Sequence, residues 1–327
     1  MSNKSTGQKT IAYELGLSIN TVSRALRDCD DISASTKEAV RKKAYEIGYM
    51  PASLSKFIKR DARPLIAILI NGFDNYYFII TARHLLNAIA RGNYDYTIID
   101  NAGDSLRPDV IKQCISQRVD GIVTLVDLSA KAVEDAYYAS IPMVFVGSRC
   151  PFSQVDEVYP DVERGCSIAA NYLINYHHIK KLVYVSHVKA IRSEERKISF
   201  ENAVKKIDPK VSVKTVLVTD VAAQLPKLIY EGYLGVFCFN DETAYNAIAE
   251  MNKMIPNIRR IYPKLHIIGF DGIASQMVGM TDLASIVYDY GEACQKAIEL
   301  LAKRMKDIKR PKESVVIDVS LHQRQIN

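Results

Sequence analysis

Tryptophan is absent from this 327-residue sequence, and so are the short motifs that mark most enzymes. No Gly-x-Gly-x-x-Gly follows a strand pattern, and there is no Walker-type phosphate loop, nucleophile elbow or His-Glu-x-x-His motif. No metal-ligand spacing is found among the histidines, which lie at positions 84, 177, 178, 187, 266 and 322. We therefore expect neither catalysis nor a cofactor or metal site.

Paired cysteines and long apolar runs are missing as well. The cysteines, at 29, 114, 150, 166, 238 and 294, include no Cys-x-x-Cys pair, which suits neither a zinc site nor a disulfide framework and fits a reducing cytoplasm. No apolar run approaches the roughly 18 residues of a membrane span, and residues 1–9 lack the apolar core of a signal peptide. These features predict a globular protein of the cytoplasm without a membrane partner.

Positive charge is concentrated at the N-terminal end. Residues 1–63 hold 12 Lys and Arg against 7 Asp and Glu, a net charge of +5, whereas the remaining residues hold 31 against 30, a net charge of +1. A basic end on a nearly neutral chain favours a polyanionic partner such as DNA. A solvated basic face without a partner would give the same charge pattern.

Residues 11–27 predict two short helices that meet at a turn around Gly16. If the apolar face of the second helix is buried, its remaining positions face outward. They include Ile19 and Arg24. A short polar helix with an exposed arginine fits the major groove of DNA. The expected apolar faces comprise Ile11, Ala12 and Leu15 in the first helix and Val22, Ala25 and Leu26 in the second.

A third helix is predicted from near Ser33 to Gly48, and it completes a small all-α domain. Ser33 or Ser35 is the candidate cap, with Glu38 placed to close a capping box with Ser35. A basic connector follows at residues 51–63. The expected apolar face of this helix comprises Val40, Ala44 and Ile47.

From residue 65 onward, short apolar strand patterns alternate with amphipathic segments. Such alternation predicts parallel sheets covered by helices on both faces. The number of strands exceeds one comfortable sheet, so we expect two doubly wound lobes with a ligand crevice at the carboxyl ends of the strands. The predicted strands are 65–70, 96–100, 121–126, 142–147, 181–186, 213–218, 234–239, 265–270 and 284–288.

The chain resembles the LacI family of bacterial transcription repressors over essentially its whole length. The most specific blocks are Leu17-Ser18-x-x-Thr21-Val22-Ser23-Arg24-x-Leu26, Ser33-x-x-Thr36-Lys37-x-x-Val40 and Gly48-Tyr49-x-Pro51. Further matching segments are Arg118-Val119-Asp120-Gly121-Ile122, Ile141-Pro142-Met143-Val144, Asp161-x-x-x-Gly165, Asn240-Asp241, Ile268-Gly269-Phe270-Asp271 and Arg324.

The resemblance implies a helix-turn-helix head, a hinge and a periplasmic-binding-protein-like core that closes on a small effector. Two copies would pair to read a two-fold symmetric operator as a homodimer. The expected domains are the head at 1–50, the hinge at 51–63, an N-terminal lobe at 64–161 with 290–312, and a C-terminal lobe at 162–289 with 313–327.

By this resemblance, Ile19, Asn20 and Arg24 occupy base-reading positions. Asn20 can pair with adenine and Arg24 with guanine, whereas Ile19 can offer only an apolar contact, for instance to a thymine methyl. The alternative for each is an ordinary place on the helix surface. Ser18 and Thr21 are expected to cap the helix and touch phosphate, and Ser23 faces the same side.

Two further DNA contacts are expected after the third helix. Tyr49 is a packing residue with an incidental phosphate contact. Ile58 stands where the family has a leucine that wedges into the minor groove, and an apolar wedge is chemically sufficient there. Its β-branch departs from the family pattern, and the alternative for Ile58 is an apolar contact between hinge and core.

The resemblance also places an effector site in the crevice. The expected contacts are Tyr77, Phe78, Arg196, Asp241, Asp271 and an aromatic face from Phe237 or Phe239. The alternatives are core packing for the aromatic residues and ion pairs for the charged ones. The sequence departs from the family pattern at Asp161-Val162, Ser199 and Tyr288-Asp289.

These departures leave the effector open. A sugar or sugar derivative, such as a sugar acid, is the first choice, and a purine-like base is the second. Two other classes of protein stay as alternatives, a sugar-binding receptor without DNA function and a sugar-modifying enzyme. The basic head argues against the first, and the absent catalytic motifs argue against the second.

Overall fold

The computed structural model divides into two compact units, Met1–Pro64 and Leu65–Asn327. Tyr49, Ile58 and most of the expected hinge lie outside the residues that the structure describes. Those residues are 3–26, 29, 31–47, 63–103, 105–187, 191–277 and 283–323.

The first unit consists of helices α1 (Asn3–Leu15), α2 (Ile19–Leu26) and α3 (Ala34–Glu46). They pack around a small apolar core, in which the structure confirms most of the expected positions. Ile47 is 37% exposed, so its expected place on the buried face was wrong. The buried side chains are Ile11, Ala12, Val22, Ala25, Leu26, Val40 and Ala44.

Local hydrogen bonds define the turns between these helices. Gly16 has a φ of +65°, a left-handed conformation that glycine adopts without strain and that ends α1. The Ser18 hydroxyl accepts from the backbone N–H of Thr21 at 2.9 Å and caps α2. The Ser33 hydroxyl accepts from the N–H of Thr36 at 3.2 Å, so Ser33 caps α3.

The second unit alternates strands and helices. The strands are β1 (Leu65–Ile70), β2 (Asp95–Asp100), β3 (Gly121–Thr124), β4 (Met143–Val146), β5 (Val155–Pro160), β6 (Lys181–Ser186), β7 (Ser212–Leu217), β8 (Gly235–Cys238), β9 (His266–Phe270), β10 (Ala284–Tyr288), β11 (Ser314–Ile317) and β12 (Val319–His322). The helices are α4 (Tyr76–Arg91), α5 (Pro108–Gln117), α6 (Ala130–Tyr138), α7 (Val162–Asn171), α8 (Ile191–Ile207), α9 (Val221–Tyr230), α10 (Asp241–Met254), α11 (Ile258–Ile261), α12 (Ile273–Gln276) and α13 (Tyr290–Lys306).

These strands form two six-stranded sheets, in the orders β11-β5-β4-β3-β1-β2 and β12-β10-β9-β8-β6-β7. All pairings are parallel except that of β10 with β12. The two lobes of the expected fold class are therefore confirmed, and each expected strand is present. The sequence pattern missed β5, β11 and β12.

The boundary between the lobes needs one correction. Residues 313–327 were expected to join the C-terminal lobe, but β11 pairs with β5 in the first sheet. Only β12 joins the second sheet. The chain thus crosses between the lobes after β5, after β10 and after β11, and the last crossing lies at Asp318.

A buried ion pair explains why the sequence pattern missed β5. Asp156 in β5 and Arg304 in α13 are 0% and 1% exposed, and two hydrogen bonds of 2.7 Å join the carboxylate to the guanidinium. Arg310 adds a contact of 2.6 Å to the same carboxylate. These partners allow charged residues to lie in a buried strand that the apolar pattern alone did not indicate.

We predict that Arg304→Met destabilises the protein by about 3 kcal/mol, the lower end of the range for a broken buried pair, because Arg310 still partners Asp156. Urea unfolding followed by circular dichroism measures this loss. The control is Lys296→Met on the same helix, where an exposed pair with Glu299 contributes about 0–1 kcal/mol. Equal losses for the two variants would contradict the structural role of Arg304.

Candidate functional site

The exposed face of α2 carries the side chains expected to read DNA. Ile19 is 47% exposed, Asn20 is exposed, and Ser23 and Arg24 are partly exposed. Because the opposite face is buried in the head, this face is the one that the helix can present to a partner. Its chemistry is one amide, one guanidinium, one hydroxyl and one aliphatic side chain.

Arg24 is already engaged within the head. Its guanidinium lies 2.5 Å from the Asp31 carboxylate, and the two side chains are 42% and 49% exposed. Asp31 was not among the residues predicted for the DNA-binding surface. A guanine or phosphate that approaches Arg24 must therefore share it with this carboxylate or displace it.

A cavity of about 310 Å³ lies between the two lobes of the second unit. Its walls come largely from the loops that follow the carboxyl ends of the strands. The first lobe contributes Asn71, Asn75, Tyr77, Phe78, Leu125, Val126, Asp127, Gly147 and Pro160, and the second contributes His187, Arg192, Arg196, Phe239, Asn240, Glu242, Asp271 and Tyr288.

The structure brings four of the predicted effector residues to this cavity, namely Tyr77, Phe78, Arg196 and Asp271. Of the two aromatic candidates at the end of β8, Phe239 lines the cavity and Phe237 does not. Phe237 is fully buried and packs against Phe200, with ring centroids 4.8 Å apart. The expected effector contact of Phe237 is corrected to core packing, since Phe237 lies within β8 and Phe239 follows it.

Asp241 also has a structural role rather than a place on the cavity wall. Its side chain is fully buried. One carboxylate oxygen accepts from the Ser285 hydroxyl and the other from the backbone N–H of Ile273, each at 2.6 Å. A Cβ on Gly269 would lie 1.9 Å from this carboxylate, so only glycine leaves room for it. Burial raises the pKa of Asp241 well above its usual value.

Arg196 is held by aromatic rings and one carbonyl. Its guanidinium carbon lies 3.7 Å from the centroid of the Phe270 ring and 4.9 Å from that of Phe239. One terminal nitrogen donates to the Phe239 carbonyl. The buried Nε has no hydrogen-bond partner in the described part of the chain. Since a buried donor without a partner is costly, this nitrogen is a natural contact for a polar ligand.

Asp271 combines a strained backbone with a perturbed carboxyl. Its φ is +101°, in the left-handed region that non-glycine residues rarely adopt. Burial raises the pKa of its carboxyl to about 7, although Arg196 and Arg192 oppose the shift. The Tyr290 hydroxyl donates to its backbone carbonyl at 2.9 Å. Asp271 can therefore both donate and accept near neutral pH.

Gly147 brings two cavity side chains close together. Its φ is +111°, and a Cβ there would lie 2.2 Å from the Tyr77 hydroxyl and 3.3 Å from the Arg192 guanidinium. Burial raises the pKa of Tyr77 to about 12, so its hydroxyl stays protonated. No other residue type fits this position without moving Tyr77.

Sequence reasoning missed several polar residues of the cavity, above all Asp127 and Arg192. Asp127 lies just after the predicted strand 121–126. Its position at a strand end could therefore have marked it as a cavity residue. Arg192 begins a helix, and nothing in its sequence context shows how far its side chain reaches. Within the described residues no cluster of His, Cys, Asp or Glu could hold a metal ion. None of the described helices has the length and apolarity of a membrane span.

The raised pKa of Asp271 predicts a pH dependence of stability. In the unfolded chain the pKa of aspartate is about 3.9. Between about pH 4 and pH 7 the Asp271 carboxyl is therefore protonated in the folded state and ionised in the unfolded state. The free energy of unfolding then falls as the pH rises through this window. Asp271→Asn removes up to about 1.4 kcal/mol per pH unit from that slope, measured by urea unfolding from about pH 5 to 8. An unchanged slope would contradict the assignment.

Two family patterns match the chain. Residues 9–52 match the bacterial regulatory proteins of the lacI family, and residues 170–325 match a periplasmic binding protein-like domain. The HTH-type transcriptional repressor PurR of Vibrio vulnificus (strain CMCP6) is 24% identical over 309 residues, which cover 91% of this chain and 92% of the relative.

Solved structures share the fold. A LacI family transcriptional regulator from Enterococcus faecium, with bound ribose, has a TM-score of 0.66 at 19% identity and covers 80% of this chain and 97% of that chain. The lac repressor dimer bound to operator and the anti-inducer ONPF has a TM-score of 0.66 at 15% identity and covers 96% of each chain. This chain therefore carries the DNA-binding domain of the lacI family together with a periplasmic binding protein-like domain, the pair of domains of a lacI-type transcriptional regulator.

Proposed function

We propose that the chain is a repressor that reads operator DNA through α2 and responds to a small effector held in the cavity between its lobes. The observation that carries the proposal is the exposed polar face of α2 within the segment that matches the lacI family. The cavity supports the second half, because it is lined by convergent polar groups and aromatic side chains. We place this activity in the cytoplasm, where the DNA lies.

The DNA-reading roles follow from side-chain chemistry. Arg24 would donate two hydrogen bonds to guanine and Asn20 would pair with adenine, while Ile19 would contact a thymine methyl. Ser18, Thr21 and Ser23 would position the helix on phosphates, which carry no sequence information. Tyr49 would add a phosphate contact, and Ile58 would wedge into the minor groove.

A sugar or sugar derivative is the proposed effector. The volume of about 310 Å³ lies at the small end of ligand pockets, which suits a compact polar molecule. Asn71, Asn75 and Asp271 offer amide and carboxyl groups for hydroxyls, and Phe78 and Phe239 offer aromatic faces for a sugar ring. The Enterococcus faecium neighbour was solved with bound ribose.

A purine-like base is the second candidate. The observation that favours it is the pair of side chains Arg196 and Asp271, which can donate to and accept from ring nitrogens near neutral pH. The Vibrio vulnificus relative is a repressor named PurR.

A homodimer would give the repressor two heads for a two-fold symmetric operator. The lac repressor neighbour was solved as a dimer on its operator. Effector binding would change the closure of the lobes in each copy, and through the dimer it would change how well two heads engage DNA together. Such coupling requires that the effector has different affinities for the two states.

We predict that Arg24→Ala weakens binding to the preferred operator by about 1–3 kcal/mol and relaxes the preference at one base pair of each half-site. The operator is obtained by selection from random duplexes with the wild-type chain, and affinities are measured by gel shift on all single-base variants. The control is Lys42→Ala, an exposed residue of α3. An unchanged base preference for Arg24→Ala would rule out its base-reading role.

We test pentoses, hexoses, sugar acids and purines in a thermal-shift panel and predict that a sugar stabilises the protein. The free energy of unfolding should rise by about 2.7 kcal/mol when the sugar concentration is 100 times its dissociation constant. Arg196→Met should abolish the shift, because its guanidinium lines the cavity. The matched control Lys197→Met should keep it, since Lys197 pairs with Glu194 instead. Stabilisation by purines alone would replace the sugar with the second candidate, and a flat panel would contradict both.

A further inference from the structure

Arg192 belongs to one lobe, but its side chain contacts the other. The residue lies in the first turn of α8, which follows β6 of the second sheet. Its Nε donates to the Asp127 carboxylate at 2.7 Å, and its Nη2 donates to the Leu125 carbonyl at 3.1 Å. The guanidinium carbon lies 4.9 Å from the centroid of the Phe145 ring. Each of these three partners belongs to the first lobe.

The pair is stronger than an ordinary surface ion pair. The side chains of Arg192 and Asp127 are 19% and 35% exposed, so water screens them only in part. A second guanidinium nitrogen also contacts the same carboxylate oxygen, at 2.6 Å. Charge-assisted hydrogen bonds with this geometry are worth more than neutral ones. The carbonyl and the ring fix the guanidinium plane further, so the contact is directional.

Both residues line the cavity, one from each lobe, so their contact joins its opposite walls. We propose that Arg192 and Asp127 form a latch that holds the two lobes closed before the effector arrives. The latch rests on the proposed function, since it regulates the same cavity. Its role is positioning, because it acts by keeping the opposite cavity walls at the distance that an effector needs.

Other contacts between the lobes do not involve the latch. The Tyr290 hydroxyl of α13 donates to the Asp271 carbonyl at 2.9 Å. Arg83 and His84 of α4 lie 3.2 Å and 3.3 Å from the Gln276 side-chain oxygen. These contacts connect the lobes when the latch is broken, so a latch variant is expected to fold and to differ in closure.

The latch changes how the repressor responds to its effector. The apparent affinity of a ligand equals its affinity for the closed state multiplied by the fraction of molecules that are closed. A pair that favours closure by at least about fivefold, the upper end for an exposed ion pair, therefore raises effector affinity without any contact to the effector. It also reduces the change in closure that the effector can produce.

The test measures the distance between the lobes in the full-length chain without effector. The noncanonical residue p-acetylphenylalanine replaces Tyr138 of the first lobe and Tyr230 of the second, which are 75% and 85% exposed, and each carries a nitroxide. Ketone labelling leaves the native cysteines untouched. Excess unlabelled chain dilutes the label to one labelled copy per oligomer, and double electron–electron resonance gives the distance distribution.

The wild-type chain should show one dominant distance, and Arg192→Met should shift about fivefold more molecules to a second distance. Asp127→Asn should give the same second distance. The double variant should add little to either single variant, because both changes break one contact. Lys197→Met is the matched control, since this neighbour on α8 pairs with Glu194 of its own helix and should leave the distribution unchanged.

A distribution that is the same for wild type, Arg192→Met and Asp127→Asn would overturn the latch. Separate shifts that add fully in the double variant would also overturn it, because the two residues would then act independently. Operator binding by gel shift is measured on the same variants in parallel. If the wild-type chain shows no sequence-specific binding to DNA, the proposed function is contradicted. The distance measurement needs neither operator nor effector, so it tests the latch separately.

Discussion

The direction of the parallel strands is the constraint on which the rest of the core depends. Parallel strands end at one edge of their sheet, and the two sheets of this chain turn those edges toward a common cleft. The residues that follow the strands, such as Asp127, Gly147, Phe239 and Asp271, meet there although they lie far apart in the sequence. The cleft is therefore polar while the strands that position it are apolar.

Burying charged groups in and behind the cleft costs free energy, and their partners offset this cost. Asp241 accepts two hydrogen bonds of 2.6 Å and occupies space that Gly269 leaves open. Arg196 lies against aromatic rings, while Arg192 reaches a carboxylate in the opposite lobe. Among the described residues of the cavity, the Arg196 Nε is a buried donor without a partner, and a ligand can satisfy it. The same few charged groups therefore line the cleft and join its two walls.

Most of the fold was predictable, because apolar strand runs and amphipathic helices leave a periodic signal. The strand at Val155–Pro160 was missed because its acidic residues are buried only with partners from distant segments. In the site, the family resemblance found Arg196 and Asp271, but it did not separate Phe237 from Phe239, which differ by where the strand ends. The contact of Arg192 with Asp127 depends on the reach of a long side chain across two lobes, which no sequence period records.

The proposed repressor requires that the cavity and the DNA-reading helix be coupled. Linkage requires that an effector which changes operator affinity by some factor has its own affinity changed by operator DNA by the same factor. The most direct measurement is calorimetric titration of the stabilising ligand into the free chain and into the chain saturated with its selected operator. Coupling predicts two different dissociation constants, whose ratio equals the ratio of operator affinities with and without ligand. Identical constants would contradict it.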